Sequence, residues 1–211
     1  MNTMLKELFA AYEELAAKAD AAFQRVAQEH RDLVRCRLRC AECCHAIFGL
    51  FLIESVYLKH HFEQLDAQTR QAVLQNAAKA DRALADLERS LKEHLDDAQM
   101  QAQVLAHERI RCPLLSDQDE CLLYPVRPIT CRVYGIPVTA GGQTFVCGQT
   151  GFERGQPYPT FDLDAVYRDL HRLSKEVLKS VGCEDEERAS LLLSVAKSIK
   201  LPLEDLIRLP R

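Results

Sequence analysis

Nine cysteines stand at positions 36, 40, 43, 44, 112, 121, 131, 147 and 183, and the first eight fall into two groups. The first group reads Cys36-x3-Cys40-x2-Cys43-Cys44. Thiolates with two residues between them can grip one metal ion from a single turn, and Cys36 and Cys40 share a face if the preceding helix runs through them. Cys43 and Cys44 differ, because adjacent side chains diverge by ~100° on a helix and point oppositely on a strand. The second thiolate of that pair reaches another metal, bridges within a cluster or stays free. The second group reads Cys112-x8-Cys121-x9-Cys131, with Cys147 following in Val-Cys-Gly. Its spacings match no zinc finger or ferredoxin run, so the weight rests on the combination of two distant sets. Cys36, Cys40, Cys43, Cys44, Cys112, Cys121, Cys131 and Cys147 are therefore the expected metal ligands, with an iron-sulfur cluster among the alternatives.

A tetrahedral site of four thiolates around a divalent ion carries a formal charge of about −2, which needs compensation when partly buried. Arg35, Arg37, Arg39, Arg109, Arg111, Arg127 and Arg132 all lie close in sequence to cysteines. Such neighbours favour the metal-binding thiolate. Arg127 and Arg132 are expected to support the ligands from just outside them, while Pro113, Pro125 and Pro128 stiffen the loops that present the thiols. Cys183, in Gly-Cys-Glu-Asp-Glu-Glu, reads as a free cysteine at a helix junction. His45 is either an alternative ligand or a solvent-facing side chain, and His60 and His61 read as surface residues of a helix. Asp117, Asp119 and Glu120 read as a solvated turn, and Tyr124 and Tyr134 as packing groups near the cluster. No residue is assigned a catalytic role.

The elements that must position these thiols follow from periodicity. Leu5, Leu8, Tyr12, Leu15, Ala19, Ala22 and Val26 step by three and four, one stripe of a helix from about Asn2 to Val34. Ile53 to Leu65 reads as a shorter helix. Ala77, Ala80, Leu84, Leu87, Leu91, Leu95, Ala98, Ala102 and Leu105 form a second stripe between Gln68 and His107. A straight helix of that length would span roughly 60 Å at ~1.5 Å per residue, more than a compact domain with a radius of gyration of ~17 Å provides. A bend near Glu93 to Asp97, or a protruding hairpin, is expected. Cys112 to Thr160 holds twelve of the chain's sixteen glycines and prolines and reads as irregular. Helical periodicity resumes over Leu163, Val166, Tyr167, Leu170, Leu173, Val177 and Leu178, with Gly182 as the stop, and a last helix is expected from about Asp185 to Ile199.

The expected fold is all-α, a helical bundle with long antiparallel helices gripping an irregular, cysteine-rich, metal-bound lobe. One domain is expected over residues 1–211, with scaffold at 1–34, 53–108 and 162–199 and cysteine segments at 35–46 and 109–150. The 211 residues include 27 Lys plus Arg against 31 Asp plus Glu, a net charge of −4. That argues against a general nucleic-acid binder. The longest apolar run, Ala46 to Ile53, is eight residues, whereas a membrane span needs roughly 20. The first residues carry charges every few positions and lack a signal-peptide core, so a cytoplasmic location is expected. In that reducing setting the cysteines read as metal ligands rather than a disulfide framework.

The cysteine segments also resemble a known family, the YkgJ-like cysteine cluster proteins, also called the zinc- or iron-chelating CxxCxxCC domain. The resemblance rests on Cys36, Cys40, Cys43 and Cys44, then Cys112-Pro113-x-Leu115, then Cys121-x2-Tyr124-x2-Arg127-Pro128-x2-Cys131-Arg132-x-Tyr134. It covers roughly Arg35 to Gly148; the first gap holds three residues where the family's name has two. The resemblance implies bound zinc or iron. A similar cysteine pattern occurs in the flagellin lysine methylases, which are much longer chains. Two other functions stand beside metal binding: an enzyme modifying protein lysines, by that analogy alone, and a helical adaptor with a structural zinc site that holds a partner along its long hairpin.

Overall fold

The computed structural model describes residues 3–97, 99–101, 104, 108–153, 155–183 and 185–208. Helix α1 (Thr3–Glu29) buries Leu8, Tyr12, Leu15, Ala19 and Val26, the stripe expected of it, and stops five residues before Val34. Helix α2 (Leu52–Phe62) buries side chains on every face, among them Leu52, Ile53, Val56, Tyr57, Leu58 and Phe62. All-round burial marks it as the central helix. Helix α3 (Ala67–Lys92) is capped by Asp66, whose side chain accepts from the Thr69 N–H. It ends at Lys92, and residues 93–96 form turns, so the second stripe breaks where its length required a bend. Leu95, just beyond the break, is 71% exposed. Ala98, Ala102 and Leu105 of that stripe lie outside the described residues.

Two cores result. The first joins α1 and α2 to helix α4 (Ile129–Val133) and helix α5 (Leu163–Lys179) through Tyr12, Ile53, Val56, Val133, Leu170 and Leu173. The second joins the other side of α2 to α3 and to helix α7 (Val195–Lys200) through Leu58, Phe62, Val73, Ala77, Ile110 and Leu123. Each of the Val, Leu, Ile and Phe side chains among them contributes about 1.5 to 3 kcal/mol on burial. The polar groups that α2 carries inside are matched: Ile53 N donates to Ser174 Oγ at 3.2 Å, Ser198 Oγ to Ser55 Oγ at 2.9 Å, and Lys59 Nζ to the Ile199 carbonyl at 2.9 Å.

Two expectations need correction. The fold is mostly helical but not all-α, because residues 138–162 form a small sheet in the order β2-β1-β3. Strands β1 (Val138–Ala140) and β2 (Gln143–Phe145) are an antiparallel hairpin, and β3 (Phe161–Asp162) lies parallel to β1. Gly141 and Gly142 at the hairpin tip have φ of 58° and 72°, the left-handed conformation that a two-residue hairpin turn demands. The single helix expected from Asp185 to Ile199 is also divided, into α6 (Glu186–Ala189) and α7, before α8 (Leu203–Arg208). Between α6 and α7, Leu193 exchanges backbone hydrogen bonds with Leu50 (2.7 and 2.9 Å), and Ser194 caps α7 by accepting from Lys197 N. That extended pairing excludes continuous helix. Among the described residues no helix is long and apolar enough to cross a membrane.

Candidate metal centre

Backbone bonds stitch the two cysteine segments together. Cys112 N donates to the Cys44 carbonyl at 2.7 Å, and Gly151 N donates to the Leu33 carbonyl at 2.8 Å. Arg109 pairs with Glu42 at 2.7 Å and Arg39 with Glu120 at 3.4 Å. Cys43 and Cys44 ride on one 3-10 turn, Glu42–Cys44. Cys112 and Cys121 flank a loop closed by a bridge between Leu115 and Cys121, with Ser116 Oγ accepting from the Gln118 and Glu120 N–H groups. Asp117, Asp119 and Glu120 thus sit in a turn. Cys131 is carried on α4, while Cys147 follows β2.

The thiols form a continuous array. Cys131 and Cys44 both lie beside Cys43, and Cys112 beside Cys44, close enough that each shifts its neighbour's pKa. Contributions first from Cys131, then from Cys44 and against burial, hold the Cys43 thiol well below its ordinary pKa, with Arg127 adding to the effect. Two neighbours move oppositely: Cys44 is raised, first by its interaction with Cys112, and Cys131 first by its interaction with Cys43. Cys112 is lowered, first by its interaction with Cys44. Burial pushes Cys121 up to about 11, with Cys112 and Cys43 nearby and Arg127 opposing. These five cysteines line a cavity of about 70 Å³ together with Ile47, Phe48, Leu58, Leu84 and Ile110.

Cys36, Cys40 and Cys147 make a second set beside the first. Burial, followed by the charges of neighbouring Cys40 and Cys147, pushes the Cys36 thiol up to about 12. Its sulfur is seated against Gly135, where an added Cβ would stand 2.1 Å from Cys36 Sγ and 3.2 Å from the Phe23 ring. Gly135→Ala is therefore expected to expel the thiol while leaving helix content intact. Peptide-resolved alkylation should find Cys36 about 10-fold more reactive, the mark of a local opening; an unchanged rate would show that the glycine does not seat it. Cys183 lies past the end of α5, packed against the first core, with its N–H bonded to the Leu178 carbonyl. His45 Nδ1 meets the Ala41 carbonyl at 3.0 Å, within its own turn.

The two arginines have different surroundings. Arg127 lines the cavity, lies over the Tyr124 ring at 4.0 Å and reaches Asp20 at 3.3 Å. Arg132 is 6% exposed. Its guanidinium pairs with Asp20 and donates to the carbonyls of Arg127 at 2.9 Å and Pro125 at 2.7 Å. Asp20, Glu42, Gly135 and Glu54 were not singled out from the sequence, since each acts through contacts with residues remote in the chain.

Thiolates flanked by arginine suit zinc or iron in donor type and charge. Among the described residues, no three His, Cys, Asp or Glu side chains stand in metal-holding geometry; the thiols are one another's electrostatic neighbours. A bound metal would replace those contacts with metal-sulfur bonds, with release of the thiol protons.

Comparison with known proteins gives one family: the model named CxxCxxCC, "Putative zinc- or iron-chelating domain", matches residues 35–146. No curated protein and no solved structure matches the chain.

Proposed function

The chain belongs to the CxxCxxCC family, and from that premise we propose that it holds zinc or iron through the eight cysteines of its two groups, with Cys43, Cys44, Cys112, Cys121 and Cys131 as the principal set. The observation that carries this reading is the array running from Cys131 through Cys43 and Cys44 to Cys112, which joins two segments nearly 70 residues apart at one cavity.

Iron in a polynuclear iron-sulfur cluster is the favoured form. Five thiols around one space exceed the four of a tetrahedral zinc site, and adjacent Cys43 and Cys44 suit separate metal atoms better than one. When bound, such a cluster supplies one-electron exchange or a structural clamp. The protein's part is to gather the thiols, to offset their charge with Arg127 and to keep water away with the apolar walls. Thiols kept ready for metal belong in a reducing compartment, the cytoplasm.

Purification without oxygen, followed by elemental analysis and visible absorption, tests the reading. Brown protein with iron and acid-labile sulfide is expected. Colourless protein with about two zinc ions per chain, the count for two four-thiolate sites, would replace the cluster with a structural zinc module. No metal under either preparation would overturn the function.

A further inference from the structure

Glu54 is a buried carboxyl group that the metal-binding reading leaves without a task. It lies on α2 at 3% exposure. Desolvation pushes its pKa up to about 7, although two backbone N–H groups and Arg132 favour the charged form. Tyr12 on α1 and Tyr167 on α5 face it from the other packed elements. A carboxyl group held in such surroundings at a desolvation cost needs compensating partners.

Those partners are the starts of two helices. Glu54 Oε2 accepts from Phe51 N at 3.2 Å, closing the first turn of α2. Oε1 accepts from Ile129 N at 3.1 Å, the first residue of α4. Pro128, immediately before, has no N–H, so Ile129 supplies the first donor of that helix and finds no acceptor within it. With five residues, α4 has too few internal hydrogen bonds to hold itself in place. Its placement is imposed from outside, by burial of Ile129 and Val133 in the first core, by Glu54 at one end and by Arg132 tied to Asp20 at the other. Cys131 sits between them.

We propose that Glu54 is a positioning residue for the metal centre, which bridges the first turns of α2 and α4 and thereby sets the Cys131 thiol against Cys43. This rests on the metal-binding reading above. Glu54→Gln nearly preserves shape but puts an NH2 group, two donors and no acceptor, where one carboxylate oxygen stood, so one of the two N–H groups faces a donor instead of an acceptor.

The test compares wild type, Glu54→Gln and Glu13→Gln. Glu13 accepts from the Tyr57 hydroxyl at 2.9 Å and serves as a control carboxylate beside the same helix. In metal-free protein, Glu54→Gln should keep its helix content while Cys131 is alkylated about 10-fold faster, a local opening, and Cys36 and Cys147 keep their rates. Reconstituted with iron and sulfide or with zinc, it should yield metal to a chelator ~10 to 100-fold more readily, as when a support of a ligand is lost. Glu13→Gln should change neither.

An unchanged Cys131 rate, or equal acceleration of every cysteine, would overturn the proposal. Should Glu54→Gln fail to fold, amide exchange in the wild type decides, with a protected Ile129 N–H expected and rapid exchange overturning. Wild type that takes up no metal would undo the metal reading and leave the alkylation comparison to judge Glu54. Wild type that loads metal beside an indistinguishable Glu54→Gln would undo the role of Glu54 alone.

Discussion

Cys43→Ser is expected to lose its metal and, compared with the metal-loaded wild type, to unfold at least ~10 °C lower, a shift corresponding to several kcal/mol for a chain of this size. Cys43 is the junction of the array, beside both Cys131 and Cys44. A metal held there joins the first cysteine segment to α4, and its binding free energy counts toward folding. The hydroxyl of serine nearly matches the thiol in size but does not give up its proton to a soft metal at neutral pH. In metal-free protein the same substitution should therefore have little effect. Cys183→Ser, beyond the end of α5, should leave metal content and melting temperature unchanged in both forms. Elemental analysis and thermal melts of the loaded and stripped proteins check all four cases; equal metal in Cys43→Ser and Cys183→Ser would remove Cys43 from the ligand set.

Arg132→Ala is expected to cost about 3 kcal/mol of stability whether or not metal is bound, since hydrogen bonds to a charged group contribute ~1.5 to 3 kcal/mol and unpaired buried acceptors add a penalty. The buried guanidinium is the donor to the carbonyls of Pro125 and Arg127 and the partner of Asp20. Asp20 is one-third exposed and keeps Arg127, so its share of the loss is small. Arg127→Ala should behave differently. Its charge lowers the pKa values of Cys43 and Cys121 from the cavity wall. Removing it should weaken metal retention ~10 to 100-fold while costing only about 1 kcal/mol, the usual net value of a hydrogen bond. Chemical denaturation and chelator competition separate the two effects. Equal losses of metal, with stability untouched in both variants, would contradict the division.

How far local pattern reaches is visible element by element. The stripe from Leu8 to Val26 appears as the buried face of α1, because helical repeat and burial are both set within a few residues. Gly141-Gly142 between Val-Thr-Ala and Gln-Thr-Phe is a hairpin signal that the sequence does contain, but strands of three residues carry too short an alternation to stand out within an irregular segment. The run from Asp185 to Ile199 has helical composition throughout, yet Leu193 is drawn into pairing with Leu50, more than a hundred residues away. Tertiary pairing outweighs a propensity difference of a few tenths of a kcal/mol per residue.

The sequence by itself determined the chemical inventory: eight thiols in two groups, arginines beside them, proline-stiffened loops and amphipathic helices long enough to need a bend. Those are properties of residue type and near spacing, which survive without knowledge of contacts. Only the tertiary structure decided that Cys131 meets Cys43, that Cys36 rests on Gly135, that Arg127 faces the cavity while Arg132 turns to Asp20, and that Glu54 bridges two helix starts. The physical reason is range: a thiol's charge, burial and partners are set within a few ångströms, and at this site most of the groups at that distance come from segments tens of residues apart, brought together by the packing of α1, α2 and α4.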